Sequence, residues 1–329
     1  MSRLALLRVL GLGALVCCLA CASTQSPSVE SAPKEVVSRP AATPDVLRGE
    51  QLLVNGQVSE AQTIFEQAIA NDPEDARAWL DLGLTHEAKG DFEAAKRAYL
   101  RATQIDPRFA EAFNNLGVLL RESGDLEQAT SALERAASLD PDLTAARFNL
   151  GLTYEEQRRF DEAEREYLAT IEQLPGDPVP RINLAMMYLD INRPDDALVQ
   201  LRSARPAVRG DLLLSIPVGA GFRRAGSPEE AVAVLRQALD DAEPHPPTEL
   251  VAELALAYYA VDDLPSAEAL MRRAIGQNEL DPALHYAYGS ILAKQGQIGK
   301  ARRHLRRAAQ LDPQGPYGDR ARKRLEALK

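Results

Sequence analysis

Few residues in this 329-residue chain are placed to do covalent chemistry. The three cysteines stand together at positions 17, 18 and 21, so the rest of the chain can build neither a disulfide nor a thiolate metal site. The four histidines, His86, His245, His285 and His304, read as belonging to different structural units and lack the HExxH spacing that puts two imidazoles on one helix face. Gly219-Ala220-Gly221 opens like a phosphate loop, but Arg224 stands where a third glycine is needed and no strand precedes it. Paired acids such as Glu155-Glu156 and Asp262-Asp263 read as solvated helix ends. What does recur is amide chemistry. Asn115, Asn149 and Asn183 are spaced by 34 residues. Each carries a donor and an acceptor, so a column of them could pair with the main chain of an extended peptide. The chemistry open to this chain is therefore recognition. No catalytic residue, metal, cofactor or small-molecule substrate is assigned, and a non-enzyme is expected.

The elements that must position such a column repeat along the chain. In Ala110–Leu143, Phe113, Leu116, Gly117 and Leu120 fall on one face of a helical period. Ser123-Gly124-Asp125 interrupts it, with Asp125 placed to cap a second helix. That helix presents Ala129, Ala132, Leu133 and Ala136 and stops at Asp140-Pro141. Small residues on both helices allow the pair to close tightly, but a lone hairpin of this size cannot bury its apolar face. Copies supply the missing neighbours. Ala61, Ala95, Ala129, Ala163, Ala197, Ala231, Ala267 and Ala301 are spaced by 34 residues, with a single step of 36. Gly49, Gly83, Gly117, Gly151, Ala185, Gly219, Ala255 and Gly289 keep a small residue in each first helix, and a large apolar residue recurs in each second helix, as at Tyr99 and Leu133. With 45% hydrophobic residues and only 5% aromatic, the core is one of Ala and Leu, which favours helix over sheet.

This pattern resembles the tetratricopeptide (TPR) repeat family, whose signature is carried by Trp79-Leu82-Gly83 and Leu150-Gly151-Tyr154 and by turn prolines such as Pro73, Pro107 and Pro141. The resemblance implies an all-α, right-handed α-solenoid of eight TPR hairpins plus a C-terminal capping helix. The units run at about 42–75, 76–109, 110–143, 144–177, 178–211, 212–247, 248–281 and 282–315, and the cap at 316–329. Pro217 inside the sixth unit's first helix predicts a kink, a shortened helix or a loose joint there. The resemblance further implies that the first helices line a concave groove for protein or peptide partners. Its wall would include Phe148, Leu152, Ile182, Met186, Leu189, Ile216, Tyr259 and Tyr286 beside the three asparagines, polar near units two and three and apolar from four onward. The lysines and arginines of the carboxylate clamp found in chaperone-adaptor TPRs are not evident.

The N-terminus adds an address. Arg3 and Arg8 precede the apolar run Val9–Ala20, which is too short to span a bilayer. Residues 1–20 thus read as a signal peptide, and Cys18-Leu19-Ala20-Cys21 is similar to the lipobox of bacterial lipoproteins, which makes Cys21 the lipidated residue. A second register, Leu15-Val16-Cys17-Cys18, would move the lipid to Cys18. Residues 21–44 are a Ser-, Pro- and Ala-rich tether. Ala22-Ser23 after the cysteine resembles the pattern sent to the outer membrane, facing the periplasm. The net charge of −10 argues against a nucleic-acid partner. Residues 297–329 are the exception, with ten Lys and Arg against Asp312, Asp319 and Glu326. Within them Arg303, Arg306, Arg307, Arg322 and Lys323 could form a basic patch, or simply a solvated cap face. Among lipoproteins of this plan, the resemblance points to a scaffold in assembly of an envelope machine (type IV pilus secretin, gliding motility or secretion complex). The alternative is an adaptor for cell-wall hydrolases or proteases.

Overall fold

The structure is a computed structural model that describes residues 40–328. The signal segment, most of the tether, and Cys18 and Cys21 lie outside the described residues. Helices and connecting turns account for the described chain, with no strand among the described residues. Two compact units divide at Leu174 and Pro175.

The first unit holds four hairpins: α1 (Pro44–Val54) with α2 (Val58–Asn71), α3 (Ala76–Ala88) with α4 (Phe92–Ile105), α5 (Ala110–Glu122) with α6 (Leu126–Leu139), and α7 (Thr144–Glu156) with α8 (Phe160–Gln173). The second holds α9 (Pro178–Asp190) with α10 (Pro194–Ala204), α11 (Leu212–Arg224) with α12 (Pro228–Ala242), α13 (Thr248–Ala260) with α14 (Leu264–Gln277), and α15 (Pro282–Lys294) with α16 (Ile298–Leu311). A last helix, α17 (Pro316–Ala327), closes it. Within each unit every hairpin packs its second helix on the first helix of the next. Each unit is thus an all-α repeat solenoid.

Local chemistry explains where the helices begin and turn. Asp75, Asp177, Asp211 and Asp281 precede first helices, and each side chain accepts from the backbone N–H groups that the first turn leaves unpaired. Asp125 differs from its expected role: α6 starts directly after it, but its side chain makes no cap bond. The turn inside each hairpin is made by one residue in the left-handed region. Glycine takes it in five hairpins, and Arg158, Asn192 and Asp262 take it in the others.

Packing rests on a small residue in each first helix facing a large one in the second. Phe65, Tyr99, Leu133 and Tyr167 in the first unit, and Leu201, Leu235, Met271 and Leu305 in the second, are all shut off from solvent. The recurring alanines from Ala61 to Ala301 are equally buried. A Cβ added at Gly117 would stand 2.5 Å from Leu133 Cγ, inside contact distance. Ala321 and Leu325 of α17, and Leu328 just after it, pack on Leu305 and Ala308 of the last hairpin.

Pro217 does not shorten its helix. The first helix α11 runs through it over 13 residues, the length of α9 and α13. Pro217 cannot donate to the Leu213 carbonyl four residues back, but Leu213 is 57% exposed, so water can take that bond. The irregularity falls in the joint before it, where a 3-10 turn, Arg205–Val208, continues from α10.

Gly117→Ala tests the closure. Alanine gains about 1 kcal/mol of helix propensity. Overpacking against Leu133 costs about 1–3 kcal/mol. Thermal denaturation of the full chain should therefore show a net loss of up to about 2 kcal/mol, and a variant more stable than the parent would contradict the packing argument.

Candidate functional site

The first helices of the second unit present an apolar face. Met186 and Leu189 on α9, Ile216 on α11, and Leu256 and Tyr259 on α13 are each partly exposed. They stand on neighbouring helices, since α9 packs on α11 and α11 on α13. Ion pairs edge this face: Arg224 to Asp190 at 2.6 Å and Arg223 to Glu253 at 2.9 Å link successive first helices, and Lys294 on α15 reaches Asp262, in the turn after α13, at 2.6 Å. The Lys294 ammonium also lies 4.7 Å from the Tyr259 ring centre, a cation–π contact. Tyr286, expected on the same wall, is drawn into the cap instead, with its ring 6.3 Å from that of Tyr317.

Several expected wall residues are not at the surface. Ile182 is 1% exposed and Leu152 6%, so both are core side chains held between hairpins. Asn149 and Asn183 are buried as well. Their amides are spent inside the protein: Asn149 Nδ2 donates to Asn114 Oδ1 at 3.0 Å, and Asn183 Nδ2 donates to the Val179 carbonyl at 2.9 Å. Asn115 is half-buried and accepts from Asn114 Nδ2 at 3.1 Å. In the first unit these amides stitch α5 to α7, because a buried amide left unpaired would cost more than the bond it forms. The asparagine column is structural there. Phe148 is partly exposed, with its ring 6.0 Å from that of Tyr167.

The equivalent rim of the first unit is charged. Glu87 on α3 accepts a short hydrogen bond from the Tyr99 hydroxyl, and Glu155 on α7 accepts one from Tyr167 at 2.7 Å. Burial pushes the Glu87 carboxyl up, the Tyr99 bond opposes this, and the neighbouring Glu122 charge raises it further. Between them, Arg121 on α5 pairs with Glu156 at 3.1 Å while its side chain is only 7% exposed. Arg121 Nε has no hydrogen-bond partner. Arg121 is visible in the sequence as a departure from its neighbouring repeats. Units two and four pair Glu with Tyr twelve residues on, whereas unit three has Arg121 and Leu133.

The tetratricopeptide repeat family model matches residues 46–110, 80–142, 114–178 and 252–316, more than half of the chain. The chain belongs to the tetratricopeptide repeat family. Two solved structures support the fold. A chain of the APC/C hetero-tetramer Cut9-Hcn1 is similar over 86% of this TPR chain, at 16% identity and a TM-score of 0.56. This chain spans 55% of that one. A tetratricopeptide repeat protein from Parabacteroides merdae is similar over 77% of this chain and 98% of its own, at 15% identity and a TM-score of 0.57. No curated protein sequence matches. TPR repeats make the chain a protein–protein interaction scaffold.

On this TPR frame the remaining candidates are spread out. Arg303, Arg306, Arg307, Arg322 and Lys323 are exposed on α16 and α17, with Arg322 paired to Asp319. Among the described residues no three His, Cys, Asp or Glu side chains are grouped to hold a metal ion. His285 and His304, read as belonging to different units, are on the two helices of one hairpin and touch. Their Nδ1 atoms are 3.0 Å apart, and His285 Nε2 lies 3.0 Å from the Glu279 carbonyl. That carbonyl can only accept, so His285 carries its proton on Nε2 and takes a hydrogen bond from His304 Nδ1–H. The two rings are stacked, with centres 5.2 Å apart and planes 24° from parallel.

Burial, the His285 ring and the Arg303 charge together depress the His304 pKa from 6.5 to about 4. The unfolded chain therefore binds a proton that the folded hairpin refuses. Stability from this site is complete above pH 6.5 and falls as pH drops toward 4. Thermal melts across that window should show the parent losing stability faster than His304→Gln. Parallel curves would contradict the assignment.

Proposed function

We propose that this protein is a non-catalytic, lipid-anchored scaffold of the bacterial cell envelope, held by an acylated Cys21 at the outer membrane and facing the periplasm. It captures protein partners on the apolar first-helix face of its second unit during assembly of an envelope machine. The observation that carries this reading is the run of partly exposed Met186, Leu189, Ile216 and Leu256 on adjacent first helices. Contiguous apolar surface of this kind marks a protein-interaction site. The lipobox-like Cys18–Cys21 stretch and the tether after it support the anchor. A single lipid chain binds a membrane only marginally, so stable attachment requires the several chains that such a cysteine receives.

The test uses the full chain in its native envelope. Met186→Asp with Ile216→Asp should abolish co-purification of crosslinked partners while the melting curve stays cooperative, because both positions face solvent in part. Ile182→Asp is not used, since it would place a charge in the core. Undiminished capture by the double variant would remove the second unit's face as the main site. In parallel, a clickable fatty acid should label the parent and leave Cys21→Ser unlabelled. Continued labelling would move the lipid to Cys18.

A further inference from the structure

The last hairpin and the cap carry cations that the fold does not use. The helix α16 holds Lys300, Arg302, Arg303, Arg306 and Arg307 and no acid. Lys300, Arg302 and Arg303 stand in its first two turns, beside the positive end of the helix dipole, and its last turn, where cations are favoured, has none. Cations that served only to complement a helix end would be placed the other way round. Elsewhere in the second unit, Arg193, Arg202, Arg223, Arg224 and Arg273 each pair with a carboxylate. On α16 and α17 the one ion pair among the described residues is Arg322 with Asp319. Lys300 donates instead to Gln297 Oε1 at 2.8 Å, and Arg302 to the Leu328 carbonyl. Arg303, Arg306, Arg307, Lys323 and Arg324 are exposed and meet no carboxylate among the described residues. The two helices pack on one another, so these charges share the closing end of the second unit.

We propose that this end of the second unit binds an anionic bilayer surface, with Arg303, Arg306, Arg307, Lys323 and Arg324 set against lipid phosphates. Charge complementarity selects an anionic occupant, since guanidinium groups bond phosphate oxygens in pairs and no acid of α16 competes for them. The make-up of the surface selects a bilayer over an acidic protein. Neither helix exposes a large apolar side chain. A protein interface is anchored by apolar or aromatic side chains that exclude water from its centre. A headgroup layer needs charge alone, and its lipids move sideways to meet cations scattered over two helices. Each such cation adds a small attraction, so the contact is weak unless the chain is kept nearby. The proposal rests on the reading of Cys21 as lipidated only for that proximity, which an N-terminal lipid supplies as effective concentration.

The probe is a vesicle of equal parts phosphatidylcholine and phosphatidylglycerol, sedimented with the chain from residue 21 carrying Cys21→Ser, which keeps every described residue and has no lipid of its own. Neutral phosphatidylcholine vesicles are the control. Binding to the anionic vesicles alone is expected, and added salt should weaken it. Arg306→Gln with Arg307→Gln and Lys323→Gln should lower the partition coefficient by about tenfold or more. Arg97→Gln with Arg209→Gln and Arg236→Gln, the same charge loss at other exposed positions, should change it by less than about twofold. All these positions face solvent, so unchanged melting curves confirm that both variants fold. Equal losses in the two variants would mean general attraction by surface cations and would overturn the site, as would absence of binding or equal binding to neutral vesicles. A fluorescein-labelled Glu–Gly peptide that binds the parent in place of vesicles and is lost by the α16–α17 variant would make the surface a site for acidic proteins and overturn the bilayer. Because the chain tested carries no lipid, failure here leaves lipidation of Cys21, and capture through Met186 and Ile216, to their own tests.

Discussion

Each hairpin closes through one contact, a small residue of the first helix against a large residue of the second. Gly117 on Leu133 shows the constraint: the helices approach until no Cβ fits between them. Because Phe65, Tyr99, Leu133, Tyr167 and their counterparts are fully enclosed, each contributes the full free energy of removing a large side chain from water, about 1.5–3 kcal/mol. A single hairpin has little else. Its outer faces must be covered by the next one, so stability accumulates along each unit rather than in one central core.

That division of labour frees one side of every first helix. Residues that close a hairpin or stack it on its neighbour are fixed in kind, whereas those on the open side vary without loss of fold. The two units use this freedom differently. In the second, Met186, Leu189, Ile216 and Leu256 leave apolar surface between closed ion pairs. In the first, the same side ends in Glu87, Glu122, Glu155 and Glu156 around a buried Arg121. One frame therefore offers a dry surface and a charged one, and the difference lies wholly in side chains that do not hold the helices together.

Much of the fold was legible because periodicity reports packing directly. The alanines at 61 to 301 recur at the repeat length since each meets the same neighbour, and the structure buries all of them. The binding faces were less legible, because a repeat register gives the direction of a side chain but not how deeply neighbouring hairpins cover it. Ile182 and Ile216 occupy the same repeat position, yet the first is core and the second is half-exposed. Asn149 read as a peptide-binding amide and proved to be a bond to Asn114 on the adjacent helix. The same limit hid the contact of His285 with His304, which depends on two helices coming together rather than on spacing along one.

The central claim is that partners dock on the first-helix face of the second unit. A photo-crosslinking amino acid placed at Ile216, and separately at Val199 on the second helix α10, tests it in living cells. Val199 is 58% exposed, so both sites are reachable. The account predicts a discrete covalent adduct from position 216 and none from 199. Adducts from 199 with none from 216 would contradict it.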